Sequence, residues 1–223
     1  MVPPLLPLLS DSDPSHIQLV CAAVKTLQKL MEYSTTAVSV FKDNGGVELL
    51  SEKLRIEVDK VIDTNEENSN AMVIGDSSRY DEDYLYSQKR LIKLLLKALG
   101  SATYSQGNPT RSQNMNNSVS VSLSLIFRNV NKFGGDIYFS AVTVMSEIIH
   151  KDPSCFQMLD DAGLPEAFLA SVVSGVLPAS KALACLPTGL GAICLNNKGL
   201  EAVKRKFCFY GFLWTLSQEG SIW

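Results

Sequence analysis

The sequence predicts an all-α protein, an armadillo/HEAT-like helical solenoid with two disordered insertions. Three observations carry this. A short phrase recurs as Phe41-Lys42-Asp43-Asn44-Gly45-Gly46-Val47, Met158-Leu159-Asp160-Asp161-Ala162-Gly163-Leu164 and Cys194-Leu195-Asn196-Asn197-Lys198-Gly199-Leu200. Gly46 and Gly163 lie 117 positions apart, three steps of about 39, and Gly163 and Gly199 lie 36 apart; a period near 40 residues is that of armadillo and HEAT repeats. Between the copies, apolar residues recur at helical spacing. Two polar tracts without periodicity, 63–81 and 101–117, interrupt the pattern.

The elements follow in order. Asp13-Pro14 reads as an N-cap with proline at the first helical position. Ile17, Val20, Cys21, Val24, Leu27 and Met31 then share one helical face. A short helix is expected from about Ser34 to Lys42, ended by Asn44-Gly45-Gly46, because glycine accepts the left-handed conformation of a helix C-terminus. Val47, Leu50, Leu54, Val58 and Val61 define the next amphipathic face. The acidic, Asn/Ser-rich stretch 63–81 is read as a disordered insertion. Asp81, Glu82 and Asp83 are placed at the N-terminus of the following helix, where its dipole favours negative charge. Leu85, Ile92, Leu95, Leu96 and Leu99 form that helix's buried stripe, and Gly100 is read as its end. A second insertion spans 101–117.

Ser118 to Leu125 alternates strictly, as a strand would, yet Val119, Leu123, Ile126, Phe127 and Val130 fit a helix equally well. A lone strand would have no partner, so context favours helix. Gly134-Gly135-Asp136 precedes a helix carrying Ile137, Ala141, Val144 and Ile148. The 117-residue gap implies two degenerate units between the first two copies of the phrase. The repeat region is assigned to 1–204, with 205–223 an atypical aromatic-rich tail read as a truncation or misread gene end.

Composition narrows the function. The chain has 223 residues, enough to bury about 70% of its unfolded surface, and a net charge of −3, which argues against a specific nucleic-acid binder. The apolar run Phe168 to Leu195 is interrupted by Pro178, Lys181 and Pro187, so no membrane span is expected. The first residues, Met1 to Leu9, lack a basic leader and are broken by prolines, unlike a signal peptide. Five cysteines without a CxxC pair suit reduced, buried thiols in the cytoplasm or nucleus.

No catalytic constellation is expected. His16 and His150 have no metal-ligand spacing around them, and a His150–Cys155 pair lacks an orienting partner. Gly189-Leu190-Gly191 is not a dinucleotide fingerprint and is read as helix capping. No catalytic residue, cofactor, metal or small-molecule substrate is therefore assigned. Lys89, Lys93 and Lys97, at i, i+4 and i+8, form one basic stripe that would receive an acidic segment of a protein partner, or the chain's own acidic insertion; the plainer alternative is a solvated helix face. Lys204-Arg205-Lys206 is too short for a nuclear signal and reads as surface charge.

Longer phrases carry a resemblance. Leu5-Leu6-Pro7-Leu8-Leu9-Ser10-Asp11, Val20 to Lys29 and Tyr86-Ser87-Gln88-Lys89-Arg90-Leu91 are three of them. Lys132 to Ser140 and Gly189 to Asn197 are two more. Over about residues 1 to 204 the chain resembles the N-terminal armadillo-like region of the giant plant HECT-type ubiquitin-protein ligases, whose animal relatives include a ligase folded as a solenoid ring. In that family ubiquitin passes through a thioester on a cysteine of a C-terminal catalytic domain, which nothing here matches. The resemblance implies helical scaffolding and recruitment of partners or ubiquitination substrates, with no catalysis in this segment. The alternative is a stand-alone armadillo-type adaptor unrelated to ubiquitin.

Overall fold

The computed structural model describes residues 2–67, 77–103, 112–175 and 180–207, and every regular element among them is helical. A 3₁₀ segment, Pro3–Ser10, precedes α1 (Ile17–Tyr33), α2 (Thr35–Asp43), α3 (Gly46–Glu67) and α4 (Ser77–Thr103). There follow α5 (Ser112–Arg128), α6 (Val130–Phe133), α7 (Gly135–Lys151), α8 (Phe156–Asp161), α9 (Leu164–Val173), α10 (Ser180–Ala184), α11 (Leu186–Cys194) and α12 (197–207).

The helices form two rows. In the first, Pro3–Ser10 packs on α3, α3 on α5, and α5 on α9. In the second, α1 packs on α4, α4 on α7, and α7 on α11. The rows meet chiefly where α3 lies on α4 and α5 on α7. The short helices α2, α6, α8 and α10 sit between the long ones. Each step therefore pairs one helix of each row and buries its apolar stripe against the next step, the construction of a helical solenoid.

Within the second row, α1, α4 and α7 run parallel. Gln18 donates to the Ser87 hydroxyl at 2.9 Å, while Lys97 acts electrostatically on Glu32 fourteen residues further along α1. Likewise Lys93 reaches Asp136 at the start of α7, and Gly100 faces Glu147 near its end.

The predicted stripes form the core, except that Ile17, Leu85 and Val130 are only half-buried. Val20, Val24, Leu27, Leu50, Leu54, Val58, Leu95, Leu96 and Ile137 are all buried. Ser34 caps α2 by accepting from the Ala37 N–H, and Asp13 caps a 3₁₀ turn (Pro14–His16) that leads into α1.

Four expectations change. The insertions are shorter than predicted, because α3 continues to Glu67, α4 begins at Ser77 and ends at Thr103, and α5 begins at Ser112. Polar sequence without an apolar stripe extends a helix already anchored by its neighbours; residues 68–76 and 104–111 lie outside the described residues. The acidic run 81–83 is consequently inside α4, whose first turn holds no acidic residue. Gly100 is not a cap but a buried mid-helix residue, where a Cβ would come within 3.1 Å of the Glu147 carboxylate on α7.

The fourth concerns the phrase. The first two copies precede α3 and α9, yet one helix of each row, α5 and α7, separates α3 and α4 from α9 and α11. The extra length of the gap is absorbed by the long α4 and the flanking connections. The glycines do different jobs. Gly163 has φ +69, a turn requirement, while at Gly46 and Gly199 an added Cβ would clash, with the Phe41 ring and with the Ile193 carbonyl. Gly189, read as a cap, is likewise packed, with Phe168 2.6 Å from the position of a Cβ. The alternating stretch 118–125 lies in α5, which is flanked by α3 and α9, and the buried Ser122 and Ser124 hydroxyls bond back to the helix. Ser124 donates to the Ser120 carbonyl at 2.9 Å. The expected boundary at 204/205 falls inside α12, and residues 208–223 lie outside the described residues.

Candidate interaction surface

The outward side of the second row carries the basic stripe. From Tyr84 to Thr103 the sequence of α4 holds Lys89, Arg90, Lys93 and Lys97 and no acidic residue. The helix period puts Tyr86, Arg90, Lys93 and Lys97 along one outward ridge, with Lys89 beside it. Lys97 and Arg90 are exposed, and Lys89 and Lys93 are half-buried. The structure thus brings the three predicted lysines onto one face, but not as equivalents.

Lys93 is engaged. Its ammonium donates to Asp136 Oδ2 at 2.5 Å, and Lys181 of α10 donates to Oδ1 of the same carboxylate at 3.0 Å. These two hydrogen bonds hold the Asp136 carboxyl below the usual carboxylate range. One carboxylate so ties α4, α7 and α10 together, a contact sequence spacing could not reveal across 43 and 45 residues. Lys97 lies near Glu32, whose principal partner is Lys29 at 2.7 Å. Lys89 makes no ion pair with any described residue, and burial pushes its ammonium below the ordinary lysine value.

Neighbouring residues that spacing on one helix did not identify complete the face. On α1, Leu19 and Tyr33 are 51% and 83% exposed, and Lys29 lies over the Tyr33 ring at 5.9 Å. On α4, Tyr86 is 73% exposed. The Gln18–Ser87 hydrogen bond joins the turn of α1 that carries Leu19 to the turn of α4 that carries Tyr86. The signal for these was present as apolar residues off the buried stripe of each helix.

The residues considered for chemistry are a buried thiol and two surface imidazoles. Cys155 is buried, its sulfur 3.9 Å from the Ile148 carbonyl, and burial pushes its thiol up to about 11. Cys185 is pushed up to about 11 in the same way, and Cys21 is raised. A nucleophilic cysteine needs the opposite shift. His150 is exposed at the end of α7, and His16 pairs with Asp11 at 2.8 Å on the surface. Among the described residues there is no cluster of three His, Cys, Asp or Glu able to hold a metal, and no helix long and apolar enough to cross a membrane. Lys204 and Lys206 of α12 engage Glu201 at 3.0 Å and Glu166 of α9 at 3.9 Å.

Other proteins share this sequence. The family described as Domain of Unknown Function (DUF913) matches residues 21–218. The chain is 39% identical to E3 ubiquitin-protein ligase UPL1 of Arabidopsis thaliana and 38% identical to UPL2 of the same plant, each over 92% of the chain. It is 26% identical over 89% of its length to E3 ubiquitin-protein ligase ptr1 of Schizosaccharomyces pombe. The chain spans about 6% of the length of each of these relatives.

Proposed function

The chain belongs to the Domain of Unknown Function (DUF913) family, and from that premise we propose that it is a non-catalytic scaffold and partner-recruiting segment of a HECT-type E3 ubiquitin-protein ligase. The observation that carries this reading is the similarity to ubiquitin ligases along almost the whole chain, against only 6% of their length. A segment that small, built as stacked helices with raised cysteine pKa values, suits binding rather than thioester chemistry.

In this reading the solenoid holds protein partners or ubiquitination substrates on the outward face of α1, α4 and α7. Lys89, Lys93 and Lys97 supply its charge, Lys93 partly as a strut through Asp136. Transfer of ubiquitin is the work of a catalytic domain elsewhere in the ligase, in the cytoplasm or nucleus.

Two assays test it. The 223-residue chain, mixed with a ubiquitin-charged conjugating enzyme, forms no thioester on a non-reducing gel; a reducible ubiquitin adduct would overturn the proposal. In the full-length ligase, removal of residues 1–207 leaves the catalytic thioester intact and lowers ubiquitination of a subset of substrates.

A further inference from the structure

We infer that the outward ridge of α4, with the adjoining Leu19 turn of α1, is the docking surface for an acidic amphipathic segment of a partner protein. This rests on the recruiting role proposed above and names the chemistry of what is recruited.

Charge complementarity carries the inference. The chain as a whole is acidic, at −3, yet its central second-row helix presents four cations without an intervening acid over Tyr84–Thr103. Internal acids neutralise only part of that ridge. Asp136 is shared by Lys93 and Lys181, and Glu32 is bonded by Lys29 and Gln28. Lys89 and Arg90 form no ion pair with any described residue. A half-buried ammonium without a counter-charge has lost part of its hydration, and an incoming carboxylate restores that interaction.

The apolar component is local. Leu19 and Tyr86 are both exposed, and the Gln18–Ser87 bond at 2.9 Å joins the turns that carry them. From Tyr86 to Lys97 the ridge is about 16 Å long at 1.5 Å per residue, the length of about three helical turns. The occupant that fits places a large apolar side chain against Tyr86, and carboxylates beyond it against Arg90, Lys89 and Lys97. A nucleic acid or an anionic membrane fits less well. Either would bring unbroken negative charge onto a face that also holds Glu32, Asp83 and Asp136.

The test is fluorescence anisotropy with a labelled peptide of about 14 residues, long enough to cover the ridge, carrying Glu and Asp on one helical face and Leu and Phe on the other. The expected result is saturable binding to the 223-residue chain that weakens with added salt and vanishes for the amide version of the peptide. Lys89→Glu/Arg90→Glu lowers affinity about tenfold, since two attractive contacts become repulsive. Tyr86→Ala lowers it several-fold, and circular dichroism of both variants matches the parent. Equal binding by the charge-reversed chain overturns the inference. So does binding of a single-stranded oligonucleotide or of phosphatidylserine vesicles at least as tight as that of the peptide. Self-association of the chain that Lys89→Glu abolishes, seen by sedimentation, also overturns it by assigning the face to a second copy. A peptide that fails to bind, in a ligase whose substrate ubiquitination still needs residues 1–207, removes this inference alone. A peptide that binds, with no effect of that deletion, removes the recruiting role instead.

Discussion

Glu57→Ala is the substitution whose cost follows most directly from the geometry. Glu57 and Lys53, one turn apart on α3, have side chains only 3% and 4% exposed, and their charged atoms lie 3.3 Å apart. The Glu57 carboxylate also accepts from Lys60 at 3.1 Å and from the buried amide of Gln88 on α4 at 3.1 Å. Lys53 in turn donates to the backbone carbonyl of Asp11, fastening the N-terminal segment to α3. Removing the carboxylate strands a buried ammonium with one neutral acceptor and leaves the Gln88 amide without its partner. Breaking a buried pair in this way costs about 3–5 kcal/mol. The adjoining cleft, lined by Asp11, Lys53, Glu57, Lys60 and Tyr84, has a volume of about 10 Å³. Truncation to Ala adds the space of the lost carboxymethyl group to this cleft, enough to admit a water beside Lys53 and Gln88, so a loss at the low end of that range, about 3 kcal/mol, is expected. Urea unfolding followed at 222 nm measures it, with the slope against denaturant unchanged. The double substitution Lys53→Met/Glu57→Leu should recover part of the loss, because no charge remains buried. It stays about 1–3 kcal/mol below the parent, since Gln88 still lacks its acceptor. A loss under about 1 kcal/mol for Glu57→Ala, or a double variant less stable than the single one, would refute the reasoning.

Four further outcomes are expected. Gly199→Ala destabilises by about 2–3 kcal/mol in chemical denaturation, because its Cβ would clash with the Ile193 carbonyl and the Phe156 ring, and Gly134→Ala, in open space but at φ +83 and ψ 168, a region essentially closed to other residues, costs about 1–3 kcal/mol of backbone strain. Tyr138→Phe removes a hydroxyl 2.9 Å from Ser171 Oγ and costs about 1 kcal/mol, since Ser171 keeps its bond to the Phe168 carbonyl. Asp136→Ala, at an exposed junction of two lysines, changes stability by less than about 1 kcal/mol. In alkali, burial raises Cys155 and Cys185 from 9.0 to about 11 and Tyr138 from 10.0 to about 12. The folded state therefore keeps protons that the unfolded chain loses, and this stability, complete below pH 9, drains away as pH rises towards 12. Lys151, lowered to about 8 by burial beside Lys42, works in the opposite sense between pH 8 and 10.5. Denaturation midpoints against pH check both signs: Cys155→Ala/Cys185→Ala flattens the fall above pH 9, and Lys151→Met removes the rise above pH 8.

Helix identity and core were legible because they depend on local periodicity. Leu50, Leu54, Val58 and Val61 at helical spacing could bury together in only one way, and all four are buried. Even the strand-like alternation of 118–125 yields to context, since a helix flanked by α3 and α9 needs small residues on more than one side. What sequence could not show was which glycines turn the chain and which admit a neighbour. Gly100 and Gly189 look like helix ends, but the reason for each is a side chain 47 or 21 positions away, Glu147 or Phe168. Counting repeat units by distance failed for a related reason, because a solenoid step is defined by packing and its length varies with the connections. On the candidate face, the i, i+4, i+8 lysines were visible, while the pairing of Lys93 with Asp136 and the bond of Gln18 on α1 to Ser87 on α4 are tertiary.

The central claim, that this solenoid recruits proteins and leaves ubiquitin chemistry to another part of the ligase, is tested most directly by quantifying diglycine-modified lysines by mass spectrometry in cells expressing the full-length ligase with and without residues 1–207. The account predicts that the shortened ligase still forms its ubiquitin thioester while a defined set of substrates loses modification. Loss of the thioester itself, or an unchanged set of modified substrates, would contradict it.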